Sequence, residues 1–387
     1  MLLSLASVFM LLAVTLLRAI ASQVQPSTVL CGFVTTKGTQ FELNGRSFAF
    51  VGANSYWLPL LTAQDDVEHT FQSMQAAGIK VLRTWGFNAI NGSELSMAKE
   101  SGLTHYQVWN GTQWMLNEGP QGLQRLDNGM ELYINWIAGT NTTHDVFYND
   151  PNIIASYQSY VRTIVERYKD SPNIFAWELM NEARCSGDLP SGPACTPASG
   201  AESLLKWYRS QSDFVRSLDP HHLITTGGEG HFFWKNPRTY WFDGELVSDY
   251  NWNGQAGEDF DHNLGLPNID FATYVRLEWI DDHIKAGKMA NKPIVLEEFG
   301  VNGLDNKTNI YPAWVQYALD ARHAIMPWQF GVLNLTESGG NRVIKYADAL
   351  IDGPLIAVLT GLAIYPNQTT VWDIFTQAAK VQAQRSE

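Results

Sequence analysis

Strand-like apolar runs and helix-like stretches alternate about eight times along this chain, and that alternation restricts its possible folds more than any other feature. A strand can pair in parallel with the next only across a crossover, usually a helix, so regular alternation predicts a closed parallel sheet, a (β/α)8 TIM barrel. The spacing predicts strands at Phe48–Asn54, Lys80–Trp85, Glu131–Trp136, the run from Ile174, His222–Thr226, Ile269–Tyr274, the run from Pro293, and Ala324–Phe330. Helices are expected at Asp65–Ala77, which Gly78 stops, Pro151–Tyr168, Ala201–Leu218, Trp279–Ala286 and Pro312–Ala321, where the proline suits a first turn. No repeat, low-complexity tract or linker divides the chain, and 387 residues fit one large barrel domain.

Two of the strand-like runs end in carboxylates. Ile174 to Cys185 reads IFAWELMNEARC and reaches Asn181 and Glu182; Pro293 to Gly300 reads PIVLEEFG and reaches Glu297 and Glu298. A parallel barrel gathers the C-terminal ends of its strands at one open face, so Arg83, Trp85, Asn181, Glu182, Glu298 and Trp328 should converge in one cleft. Two carboxylates held there suit glycoside hydrolysis, in which one protonates the leaving oxygen and the other attacks or stabilises the anomeric carbon. The plainer alternative for either run alone is a glutamate that only caps the helix after its strand.

WELMNE followed by Arg184 and Cys185, RTWGFN at Arg83 to Asn88, LEEFG, and WQFG at Trp328 to Gly331 resemble, in content and order, glycoside hydrolase family 5, and within it the secreted fungal endo-β-1,4-mannanases. The resemblance runs from about Phe33 to Ala379. It implies that Glu182 is the acid/base and Glu298, the glutamate preceding Phe299, the nucleophile. Strand alternation agrees, since only one of two adjacent glutamates should face the cleft. Arg83 is expected to hold Glu298 ionised at a low pKa, while Glu182 needs a raised one to donate a proton. Asn181 is expected to bond the sugar 2-hydroxyl, Trp328 to floor the subsite of the attacked sugar, and Trp57 and Trp85 to contact substrate. Arg184 matches a contact on the leaving-group side, with a salt bridge to a loop as an equal alternative.

Composition and processing signals fit a secreted enzyme on a neutral polymer. A net charge of −13 argues against nucleic acid or an anionic membrane as partner, and β-mannan, including galactomannan and glucomannan, is the expected one. Aromatic side chains stack on sugar faces, but more than half of the 14 Trp are expected in the core. Residues 1–22 read as a signal peptide, with an uncleaved anchor as the alternative, leaving 23–387 as a catalytic domain expected to be secreted and monomeric. Asn-X-Ser/Thr sequons at Asn91, Asn110, Asn141, Asn306, Asn334 and Asn367 agree with passage through a glycosylating compartment. Cys185 and Cys195 bracket a Pro, Gly and Ser-rich loop and are expected to pair, leaving Cys31 unpaired. No spacing of His or Cys suggests a metal, and no cofactor is expected.

One departure from the family pattern stands out. After Ile269–Tyr274 the family continues with a His, an intervening residue, a Tyr and an aromatic-bearing loop, whereas this chain reads Val275-Arg276-Leu277 and passes directly to Trp279. That tyrosine orients the nucleophile in the family, so its loss predicts weaker preorganisation, by divergence or by a mis-spliced gene. It also keeps open a carbohydrate-binding pseudoenzyme, and action on another β-glycan is a further alternative. A ten-residue apolar run, Leu355–Ile364, stands where the family has a short polar loop, and is too short to span a bilayer.

Overall fold

The computed structural model describes residues 32–386 apart from 62, 87–88, 95, 97–106, 113, 117–129, 131–132, 188, 277–278, 334 and 336–360. The predicted leader and Cys31 lie outside the described residues. Phe33–Glu387 forms one unit, which begins with an antiparallel sheet of β1 (Val34–Lys37), β2 (Gln40–Leu43) and β3 (Arg46–Ser47). Phe41 of β2 meets Phe50, Phe175 and Phe271 with ring centroids 5.9, 5.2 and 5.3 Å away. Those three phenylalanines each lie just before a barrel strand, so this sheet plugs the N-terminal end of the barrel and leaves the C-terminal end open.

The described barrel strands are β4 (Gly52–Asn54), β5 (Val81–Arg83), β9 (Ala176–Glu178), β10 (Leu223–Thr225), β13 (Ala272–Val275), β14 (Ile294–Glu298) and β15 (Ala324–Ile325). Pairing is parallel between β4 and β5, β9 and β10, β13 and β14, and β14 and β15. A parallel bridge from Val51 to Ile325 joins β15 back to the start of β4. β4, β10 and β13 are buried along their whole length, as strands must be that face the packed barrel interior on one side and helices on the other. Outside the barrel lie a small sheet of β6 (Ala89–Asn91), β7 (Gln107–Trp109) and β8 (Trp114–Leu116), and a hairpin of β11 (Thr239–Phe242) and β12 (Glu245–Ser248).

The helices are α1 (Gln64–Ala76), α2 (Val146–Asn149), α3 (Pro151–Tyr168), α4 (Pro197–Leu218), α5 (Phe260–Leu264), α6 (Ile280–Ala290), α7 (Leu304–Asp320) and α8 (Thr369–Gln384). Helix α3 spans the predicted residues because its start is fixed chemically. The Asp150 carboxylate accepts from the backbone N–H groups of Asn152 and Ile153, and Pro151 occupies the first turn, where no N–H is needed. Its buried Ile153, Tyr160, Val161 and Val165 share one core cluster with Leu204, Trp207, Tyr208 and Val215 of α4.

Three expectations need correction. Of the expected third strand, Glu131–Trp136, residues 131–132 lie outside the described residues, and the rest does not form a strand: Ile134–Ala138 is a five-residue π-helical turn, and no strand between β5 and β9 pairs with either among the described residues. Its apolar residues Ile134, Trp136 and Ile137 fit a helical stripe as well as a strand, an ambiguity short apolar runs always carry. Helix α7 starts eight residues before Pro312, which therefore lies in its interior and not in its first turn. The last barrel strand is short, ending at Ile325, and Phe330 instead bridges in parallel to Ile364. That bridge, with Ile364 N–H donating to Gln329 O at 2.8 Å, packs the end of the Leu355–Ile364 run onto the barrel. Residues 355–360 of that run lie outside the described residues.

Candidate active site

Arg83, at the end of β5, organises the open face of the barrel. A guanidinium has five N–H donors in a fixed fork, and here all are used. Nε and Nη2 grip Glu178 Oε2 and Oε1 at 2.8 and 2.7 Å, Nη2 also donates to Asn181 Oδ1 at 2.6 Å, and Nη1 donates to Asn54 Oδ1 at 3.0 Å and to Glu298 Oε1. Asn54 can accept because its own amide is fixed, donating to Glu297 O at 2.8 Å and Met326 O at 3.1 Å. Burial opposes the charge of Arg83, but Glu178, Glu297 and Glu298 outweigh it and keep the group cationic.

The adjacent pair Glu297 and Glu298 does not divide between opposite faces as simple alternation predicts. Tyr274 pairs with Leu296 but Val275 pairs with Glu298, so Glu297 is the extra residue of a β-bulge. The bulge resets the pleat, and both carboxylates reach Arg83, Glu297 at 3.4 Å from Nε. The two still differ: Glu297 is 6% exposed and Glu298 15%. Nor is Glu298 held at a low pKa. Burial pushes it up, and the charge and hydrogen bond of Arg83 only partly offset that rise.

Glu182 lies beyond the end of β9, at a backbone φ of 45°, the left-handed region rarely adopted by a residue with a side chain. Its N–H donates to Gly227 O at 2.8 Å. On either side the loop is tied down, by Tyr157 Oη donating to Leu179 O at 2.6 Å and Tyr148 Oη to Arg184 O at 2.7 Å. Glycine is required opposite it: a Cβ on Gly227 would lie 2.1 Å from Met180 O, and Gly227 has φ 75°. The Glu182 carboxyl is raised to about 7, first by burial and then by the charges of Glu229 and Glu298, with Arg184 and Arg83 acting the other way. That is the property a proton donor near neutral pH needs.

Arg184 makes the salt bridge to a loop that is one of the two readings the sequence left open. It forks onto Glu229, with Nη2 to Oε1 at 2.5 Å and Nε to Oε2, and lies 3.7 Å from Glu182 Oε2. Burial alone would raise Glu229, but donation from His231 and Arg184 carries it down to about 2. Arg184, Glu229, His231, Tyr250, Arg276 and Trp279 line a cleft of about 300 Å³. The Cys185–Cys195 disulfide is present, with Cα atoms 5.5 Å apart, and closes the loop behind Arg184.

An aromatic cluster lies beside Arg83. Trp328 stacks on Tyr56, with centroids 5.5 Å apart and planes inclined by 3°, and Trp85 lies 6.1 Å from Trp328 with the Arg83 guanidinium 4.6 Å above its ring. Trp57 does not belong with them. It is 1% exposed, its indole donates to Phe330 O at 3.2 Å, and it packs in the core with Leu61, Met74 and Phe330.

After β13 the chain turns at Arg276, φ 69°, and reaches buried Trp279, whose indole donates to Val275 O at 2.7 Å and Arg276 O at 3.1 Å. Where the family pattern has a loop, two residues, 277 and 278, separate Arg276 from Trp279. Sequence reasoning missed Glu178, Glu229 and the Tyr56 platform. Glu178 sits inside WELMNE and Glu229 in TTGGEG after β10, and both could have been found as carboxylates at the C-terminal end of a barrel strand. Among the described residues, no group of three or more His, Cys, Asp or Glu is placed to hold a metal ion.

A barrel with paired carboxylates and an arginine fork at the open ends of its strands defines a glycoside hydrolase by architecture. A family model described as GH family 5 beta-mannosidase-like matches residues 100–321. The chain belongs to glycoside hydrolase family 5, and its architecture is the (β/α)8 TIM barrel. It is 35% identical over 360 residues to a probable mannan endo-1,4-beta-mannosidase C of Aspergillus terreus, covering 78% of this chain and 84% of that protein. It is 34% identical to mannan endo-1,4-beta-mannosidase F of Aspergillus clavatus, over 77% of this chain and 71% of that one. Among solved structures, the endo-1,4-beta-mannanase of Rhizomucor miehei matches with a TM-score of 0.72 and 27% identity, covering 91% of this chain and all, 100%, of that chain.

Proposed function

We propose that the protein is a secreted, endo-acting, retaining glycoside hydrolase that cleaves internal β-1,4-mannosidic bonds of mannan, galactomannan and glucomannan. The observation that carries the reading is the pairing of unlike carboxylates, Glu182 raised to about 7 beside Arg184, and Glu298 hydrogen-bonded by Arg83. Glu182 donates its proton to the glycosidic oxygen as Glu298 attacks the anomeric carbon; the C–O bond to the leaving chain breaks and a glycosyl ester forms on Glu298. Glu182, now ionised, takes a proton from water, and the resulting hydroxide displaces Glu298 with a second inversion. Asn181, oriented by Arg83, bonds the 2-hydroxyl, and Trp328 with Trp85 supports the sugar faces. The names of the relatives support mannan as the substrate.

The described sequon residues Asn110, Asn141, Asn306 and Asn367 are all exposed, which supports glycosylation during secretion after removal of residues 1–22. No helix among the described residues is long and apolar enough to cross a membrane. The abrupt turn at Arg276 keeps a second reading, a β-glycan-binding protein that has lost turnover with the loop. A plate of dyed galactomannan separates the two: clearing supports hydrolysis, and retention of the protein without clearing supports the binder.

A further inference from the structure

The connection from β10 to α5 leaves the open end of the barrel, and it carries more than Glu229 and His231. It also carries the β11–β12 hairpin, in which four large apolar side chains face solvent: Tyr240 at 48%, Trp241 at 74%, Phe242 at 67% and Leu246 at 58% exposure. Directly paired residues point to the same face of an antiparallel ribbon, so Trp241 lies beside Leu246 on one face, and Tyr240 and Phe242 lie on the other. Such a cluster at the tip of a surface ribbon costs solubility unless it meets a ligand.

The hairpin is built to hold its shape. Asp243 and Gly244 turn it with φ of 49° and 81°, the left-handed pair of a tight two-residue turn. At its base Asp249 N–H donates to Arg238 O at 2.8 Å, and the Arg238 guanidinium lies 4.4 Å over Trp252 while pairing with Asp282. Directly beyond β12, Tyr250 and Asn251 line the cleft beside Arg184 and Glu229, so the ribbon continues the wall of the site outward. Asp243 and Glu245 at the tip, together with a net charge of −13, repel an anionic membrane or a polyanion and suit a neutral polymer. Indole and phenyl rings present flat apolar faces at low rotamer cost, which match the C–H faces of pyranose rings.

We infer that the β11–β12 hairpin is a glycan-binding platform that engages a neutral β-linked polysaccharide chain beyond the catalytic cleft, with Trp241 as its main stacking residue. The inference rests on the function proposed above. Its test is the full secreted chain with Trp241→Ser and Leu246→Ser together, the exposed pair on one face of the ribbon, compared with the parent and with Trp241→Phe. Rates are measured on polymeric galactomannan and on mannohexaose, and retention is measured in native gels containing galactomannan. Loss of the stacking ring and its apolar neighbour should lower kcat/KM on the polymer about five- to tenfold and reduce retention, with mannohexaose cleavage unchanged and a smaller loss in Trp241→Phe. Circular dichroism melting should coincide for all three proteins, because the side chains are exposed.

Parent and double variant behaving alike on polymer, with the parent active on mannohexaose, would overturn the platform alone. A parent that is dimeric by sedimentation, with a monomeric double variant of unchanged polymer retention, would overturn it too and make the hairpin a self-association surface. A parent that neither binds nor cleaves either mannan would instead overturn the proposed function, and this inference with it.

Discussion

Glu182 and Glu298 are both glutamates, and their surroundings give them different chemistry. Glu182 is raised to about 7 by burial and by the charges of Glu229 and Glu298, so in the free enzyme it is protonated below that pH and loses its donor proton above it. The basic limb of kcat/KM should therefore fall near pH 7. Glu229→Gln removes one charge that raises Glu182 and frees Arg184 to pair with it, and both effects lower its pKa. The basic limb should move to lower pH in that variant; a profile unmoved, or moved upward, would break the link from Glu229 to Glu182. Trp57 makes a separate test, because the sequence places it with substrate and the structure places it in the core. Trp57→Ala should cost about 3–5 kcal/mol of stability through the cavity it leaves. Trp57→Phe, which keeps most of the volume, should leave KM for mannan unchanged in a steady-state assay.

At the scale of elements, the strands that end at the candidate site were legible because parallel-barrel strands announce themselves as apolar runs, and the family motifs singled out Glu182 and Glu298 at or beyond their ends. The ends of WELMNE and LEEFG needed no structure to be recognised. The bulge at Glu297 was not legible, because one inserted residue leaves the apolar run intact while it changes which way its neighbours face. Ile134–Ala138 was not legible for a different reason: five residues are too few to tell a helical stripe from a strand. The β11–β12 hairpin was readable in principle, from Asp243-Gly244 between the strand-prone runs Thr239–Phe242 and Glu245–Ser248. The loop behind Arg184 is closed by Cys185–Cys195, and replacing both cysteines by alanine should cost under about 3 kcal/mol, since the loop is short. Chemical denaturation with and without reductant measures it, and a larger loss would mean that the bridge also supports the barrel. The turn at Arg276 predicts a slow enzyme. One missing preorganised donor costs about 10²-fold in rate, so inserting a family-type His and Tyr loop between Tyr274 and Trp279 should raise kcat more than it lowers KM. An enzyme already as fast as a loop-bearing relative on the same mannan would contradict that.

At the scale of the whole molecule, the aromatic plug around Phe41 closes one end of the barrel and the Arg83 fork orders the other, so the candidate site has a single face on which to act. The account rests on Glu298 being the residue that becomes covalently bonded to sugar, while its neighbour Glu297 shares Arg83 without touching substrate. The most direct measurement is trapping with an activated 2-deoxy-2-fluoro-mannoside, which forms the glycosyl ester but slows its hydrolysis, followed by peptide mass spectrometry with fragmentation. The account predicts one added fluoromannosyl group, placed on Glu298 and absent from the Glu298→Gln variant. A label on Glu297, or turnover with inversion at the anomeric carbon and no covalent species, would contradict it.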